Sequence, residues 1–322
     1  MTVFHLATVF PRLRGLRRLP LTRDQCMLLM AAVNEVFLGI DIYLAHSISG
    51  TIVPNEWIPI LFGPLAGSLL ILTGIIALRN RPLATWLASL VFLSSIGVGL
   101  LGAYFHWVRA ILPDAPPGLQ VSIPLLVWAP PILGPLTFAL VGLFGLSAAW
   151  AEEPPDSGSL RITRRWRLRL PYSKSRAYFF MVSMGTLATL ISSVLDHART
   201  PFSNPWLWVP TAAGVFGVVV SGMMGILERP ERADILTHLG AMLLLIAVGL
   251  TGALLHIREN LIAEGAVVGE RFLRGAPFLA PMLFANMGTL GLIALLDPTE
   301  VQPEPSHRSF TQGSTGPQAR HP

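Results

Sequence analysis

Eight stretches of this chain are apolar for about twenty residues or more, and that fact limits its possible folds more than any other. They cover 26–48, 57–78, 83–106, 124–150, 177–197, 206–227, 235–256 and 276–296. A hydrocarbon core is crossed by about 20 helical residues. Lipid offers bare backbone groups no partner, so helices that satisfy their own amides are the default. Composition agrees. The chain is 52% hydrophobic and 13% charged, where soluble domains carry about 25% charged residues. Its mean hydropathy is +0.59. A disordered chain, a water-soluble globule and a nucleic-acid binder are excluded. The expected class is an all-α polytopic membrane protein with eight transmembrane helices, arranged as two tandem, same-orientation four-helix bundles.

The net charge of +5 reflects loops that flank the membrane. Arg12, Arg14, Arg17, Arg18, Arg23, Arg79, Arg81, Arg161, Arg164, Arg165, Arg167, Arg169, Lys174, Arg176, Arg229, Arg232, Arg308 and Arg320 all fall on one side, 18 in total. The other side holds 5: Arg109, Arg199, Arg258, Arg271 and Arg274. The positive-inside rule then places both termini in the cytoplasm of a multi-pass inner (cytoplasmic) membrane protein. A bacterial source is suggested by arginine usage, since Lys174 is the only lysine.

Five regions follow. Residues 1–25 form a basic cytoplasmic segment suited to the lipid surface, since their charge follows the short apolar start instead of preceding it, unlike a cleaved signal. Residues 26–150 are the first four-helix repeat, 151–176 a basic cytoplasmic linker, and 177–297 the second repeat. Residues 298–322, rich in Pro, Ser, Gln and Gly, read as a disordered cytoplasmic tail. Cys26 is the only cysteine, so an internal disulfide and a thiolate cluster are both excluded.

The halves repeat each other. Gly99, Gly102 and His106 match Gly249, Gly252 and His256. Trp57-Ile58-Pro59 matches Trp208-Val209-Pro210, and His46 matches His197 at the same offset. Pro131, Pro135, Phe138, Ala139, Gly142 and Gly145 match Pro277, Pro281, Phe284, Ala285, Gly288 and Gly291. Each unit has an even number of spans, so the copies face the same way, related by an axis along the membrane normal.

This topology carries the four matched histidines to the outer boundary, two per bundle. His46 and His106 end the first and third spans, which run parallel, and His197 and His256 do so in the second half. Paired imidazoles from diagonal helices suit a b-type haem or a transition metal, the latter with help from Asp196. Gly99 and Gly102 share the face of His106, and Gly249 and Gly252 that of His256. They predict either a slot for a flat macrocycle or simple small-residue packing. Interfacial histidines that only cap carbonyls or meet water are the competing expectation. Pro130, Pro131, Pro135, Pro277 and Pro281 predict a partly unwound outer vestibule or ordinary helix starts.

Glu35 lies mid-span on the face of His46, and Asp41 lies between them in height. Intramembrane acids are costly, so these two predict a proton pathway, a polar wall of a quinol pocket, or a carboxyl hydrogen-bonded to Ser, Thr or Asn of a neighbouring helix, with Asn34 and Asn286 as candidate partners. The second half has Thr186 and Ser192 at their places.

The functional expectation is a membrane redox subunit in the lipid bilayer that exchanges electrons with quinol or a periplasmic or membrane partner. Its alternative is a proton- or metal-coupled transporter, or a non-catalytic anchor or assembly subunit. No HExxH motif, Gly-rich phosphate loop or Ser-His-Asp set points to hydrolase or transferase chemistry.

Overall fold

A computed structural model describes residues 5–11, 21–47, 50–112, 114–128, 130–163, 165–200, 202–264 and 267–296. Most of the expected N-terminal basic segment, Arg164, and the expected disordered tail with Arg308 and Arg320 lie outside them. In chain order the helices begin with α1 (His5–Val9), α2 (Arg23–Ser47), α3 (Trp57–Ala77) and α4 (Arg81–Ala110). Next come α5 (Ile123–Trp128), α6 (Leu133–Ala149), α7 (Lys174–Ala198) and α8 (Trp208–Ile226). The last are α9 (Arg232–Ile262), α10 (Val268–Arg274) and α11 (Met282–Ala294). Short strands β1 (Ala151–Glu152), β2 (Ser159–Arg161) and β3 (Arg167–Arg169) form one antiparallel sheet between α6 and α7.

Among the described residues, six helices are long and apolar enough to cross a membrane: α2, α3, α4, α7, α8 and α9. The protein is thus an all-α, multi-pass membrane protein. Leu61, Leu65, Ile75 and Trp86 stand exposed on α3 and α4, faces that lipid covers.

The fourth and eighth apolar stretches depart from expectation. Within 124–150 the chain splits into α5 and α6, which has 17 residues. Within 276–296 regular helix starts only at Met282 and runs 13 residues. Proline is the cause. Pro130 and Pro131 end the first piece, and Pro277 and Pro281 delay the second, because each lacks an amide donor and crowds the preceding turn.

Helix neighbours repeat as the sequence does. In the first half α2 packs on α3 and α6, and α4 on α3 and α6; in the second, α7 packs on α8 and α11, and α9 on α8 and α11. The halves meet where α6 touches α7 and α11 touches α2. The α4–α6 and α9–α11 seams are built alike. A Cβ on Gly142 would sit 2.6 Å from Phe92 O, and one on Gly288 would sit 2.5 Å from Met242 O. Glycine lets the backbones approach that closely.

At one end of the seam between halves lies a buried charge cluster. Arg23 and Lys174, matched by the repeat, are only 1% and 0% exposed. Each reaches into the other half. Arg23 Nη1 donates to Ser175 Oγ at 2.7 Å, and Lys174 Nζ donates to Asp24 Oδ2 at 2.5 Å and Trp150 O at 2.8 Å. Tyr178 Oη donates to Asp24 Oδ1 at 3.1 Å. The Arg23 guanidinium lies 4.9 Å from the Tyr178 ring centre. Ser175 stands where the repeat has Asp24, so this one carboxylate faces both cations.

Replacing Asp24 by Asn strands two buried cations. The expected cost is about 3 kcal/mol, read as a lower thermal midpoint in detergent. An unchanged midpoint would show that the cluster does not join the halves.

Candidate functional site

The helix-end histidines are placed by the proline starts opposite them. In a regular helix the carbonyl of Pro131 would accept from the amide of residue 135, and that of Pro277 from residue 281. Both of those donors are missing, because residues 135 and 281 are prolines, and each carbonyl accepts instead from the amide three residues on, Gly134 N at 3.1 Å and Ala280 N at 3.2 Å. His106 Nδ1 donates to Pro131 O at 2.9 Å, and His256 Nδ1 donates to Pro277 O at 3.0 Å. A carbonyl can only accept, so the Nδ1 atoms carry the hydrogens, and Nε2 of each neutral ring keeps its lone pair.

His46 has the same polarity by another route. Its Nδ1 donates to Ile42 O, one turn back, at 2.8 Å. The His46 and His106 ring centres are 6.1 Å apart, with planes inclined at 55°. The first expected pair therefore converges. Glu56 joins it, with Oε1 3.9 Å from His46 Nε2 and 3.6 Å from Arg109 Nη1. Glu56 Oε2 accepts from the Val53 amide at 3.0 Å.

The second pair differs in detail. His197 Nδ1 is 3.5 Å from Ser193 Oγ, and its ring lies edge-on to Phe202. Asp196 faces Arg199 at 3.7 Å. Among the described residues, no group of three or more His, Cys, Asp or Glu side chains is arranged to hold a metal ion.

The four glycines beneath His106 and His256 are filled by protein. A Cβ on Gly99 would lie 2.6 Å from Ala139 N, and one on Gly249 would lie 2.5 Å from Ala285 N. On Gly102 and Gly252 it would meet the Cβ of Pro135 and Pro281 at 2.7 and 2.8 Å. Helix packing accounts for these glycines without a ligand, and the space directly below the histidines is taken.

The two acids separate. Glu35 is fully buried in the first half, where Ser95 Oγ lies 2.5 Å from Oε1, and Oε2 has no hydrogen-bond partner among the described residues. Its partner is thus a serine of a neighbouring helix, as one reading of the sequence expected, with Ser95 in place of Asn34 or Asn286. Asp41 instead lines a cavity of about 760 Å³ between the halves, together with Asn34, Asn286, Leu140, Gly185 and Met287. His238, unmatched in the repeat, is buried with Nε2 3.2 Å from Gly291 O and its ring edge-on to Phe179 at 5.0 Å.

Glu56, Arg109 and the cavity were not singled out from the sequence. A signal for Glu56 existed: it directly precedes the matched Trp-x-Pro, where the second half has Leu207. No protein-family model, curated protein or solved structure matches the chain.

Gly99→Val and Gly249→Val are each expected to destabilise the fold by about 2 kcal/mol through overpacking, measured by thermal unfolding in detergent. Variants with wild-type midpoints would show that the seams are open, as a slot requires.

Proposed function

We propose that this chain is a redox subunit of a bacterial inner membrane. In this reading it has eight spans in two tandem, same-orientation four-helix bundles, and both termini are cytoplasmic. The paired histidines hold haem b or a transition metal, and electrons pass from quinol to a periplasmic or membrane partner. Quinol oxidation releases two protons with its two electrons, and Asp41 and Glu35 form the proton pathway.

The observation that carries the proposal is the approach of His46 to His106. With metal–nitrogen bonds of about 2.0 Å, two imidazoles on one ion have ring centres about 6 Å apart, and these lie at 6.1 Å. Three of the four histidines donate Nδ1–H to a backbone carbonyl, the second-shell contact typical of metal-bound imidazole. Two imidazoles are too few for a bare ion. A haem b would supply four nitrogens of its own, so His46 and His106 would be the residues to hold it, and haem b is favoured over a bare ion. With the glycine seams filled, a macrocycle would have to lie elsewhere around the histidines.

A second reading is a proton- or metal-coupled transporter. It is supported by a cavity between duplicated halves that includes a carboxylate. A protein with neither cofactor nor transport would be an anchor or assembly subunit.

The purified protein is expected to show reduced-minus-oxidised bands of b-type haem, lost in His106→Ala and weakened in His46→Ala. A colourless, metal-free preparation would overturn the redox proposal. For orientation, a cysteine introduced at the exposed Ser157 in a Cys26→Ser background should react with an impermeant maleimide only from the cytoplasmic side. Labelling of intact spheroplasts would reverse the topology.

A further inference from the structure

The cavity between the halves lies on their internal symmetry. Its wall takes Leu133, Val141 and Phe144 from α6, Met287 and Leu290 from α11, and Leu279 from the turn before α11, and these form three pairs matched by the repeat. Val33 on α2 and Met184 on α7 are matched in the same way. A cavity built this way would be equally apolar at both seams if the copies were identical.

They are not identical. At the α6–α7 seam, Leu140 and Met287 press against Gly185. The counterparts of Leu140 and Gly185 at the α2–α11 seam are Asn286 and Asn34. Asp41 lies seven residues beyond Asn34 on α2, which puts it on the same face and about 10 Å further along the axis. None of these three side chains makes a protein hydrogen bond among the described residues, and Asn286 Oδ1 is buried without a partner. Thr137, Thr189 and Thr289 also line the space, but their hydroxyls donate to their own helices. Unmet hydrogen-bonding capacity is therefore concentrated at one seam. A buried, unpaired amide oxygen is costly, and an occupant with a hydroxyl donor removes that cost.

Charge narrows the occupant. Among the described residues, Asp41 is the only ionisable one in the lining, which contains no Arg, Lys or His. A phosphate head would face a carboxylate with no cation. A neutral head with hydroxyl donors at two heights meets Asn34 and Asn286 at one level and Asp41 at the other.

We propose that this cavity binds a quinol: its hydroxyl-bearing ring at the α2–α11 seam among Asn34, Asp41 and Asn286, its isoprenoid tail along the apolar α6–α7 seam. Quinol as the occupant rests on the redox proposal. The polarity of the cavity does not.

The test extracts lipids from the full-length protein purified in mild detergent and counts quinone per chain by mass spectrometry, followed by reloading with decylubiquinol. About one quinone per folded chain is expected. Asn286→Leu, which copies the apolar counterpart Leu140, should lower retention and reloading at least tenfold while keeping the fold, since it removes an unpaired amide. Asn34→Leu should act in the same direction and serves if Asn286→Leu folds poorly. Wild-type quinone content in both variants overturns the site, as does recovery of only neutral glycerolipid or of no lipid. A colourless protein that still holds quinone in an Asn286-dependent way sinks the redox proposal and keeps the site. Intact haem bands with no quinone do the reverse.

Discussion

At one end of the seam between the halves, a single carboxylate holds cations from both. Asp24 accepts from Lys174 and Tyr178 across the seam, and the neighbouring Arg23 crosses in the opposite direction to Ser175. In a low-dielectric surrounding, two buried cations are tolerated only with an anion and aligned acceptors close by. The cluster sets the position of α2 against α7 at one end of the seam. Everything further along that seam, including the cavity, inherits this placement. Glu152 strengthens the arrangement by accepting from the Lys174 and Gly158 amides at 2.9 and 2.8 Å, which fastens the short sheet to the start of α7.

Duplication separates scaffold from chemistry in this protein. Where both copies keep the same residues, the contact is packing: glycine against a facing helix backbone, or a histidine on the carbonyl of a proline-interrupted turn. Where the copies differ, polar groups gather in the first half. Glu35 stands opposite Thr186, Asp41 opposite Ser192, Ser95 opposite Leu245 and Glu56 opposite Leu207. Asn286, like His238, belongs to the second half in sequence, but α11 packs against α2 and brings Asn286 to the first. The matched histidines thus have a structural task in both halves, and the unmatched polar residues give the first half its chemical character.

Much of this was legible in the sequence. Apolar runs of about twenty residues in a chain this poor in charge favour helices, since a helix meets its backbone hydrogen bonds within one segment and a barrel strand is only about ten residues long. The matched Gly, His and Pro positions dictated two like halves. They also suggested that His46 and His106, at the ends of parallel spans, would lie at similar depth, although rings that only cap carbonyls or meet water fitted the same sequence. The broken fourth and eighth stretches were signalled by their prolines, but their starting residues depend on which carbonyls find other donors.

Other features required the fold in three dimensions. The same glycine spacing serves an open slot or a tight seam, and the nearness of Ala139 and Ala285 backbone decides for the seam. Glu35 had several equally good hydrogen-bonding neighbours until helix rotation chose Ser95. Asn34, Asp41 and Asn286 come from helices far apart in the chain, and no local pattern ties them to one cavity. Sequence periodicity specifies what each helix must bury along its own axis. Which helix it is buried against, and at what rotation, is a property of the packed assembly, and that is where the unpaired polar groups of this protein were brought together.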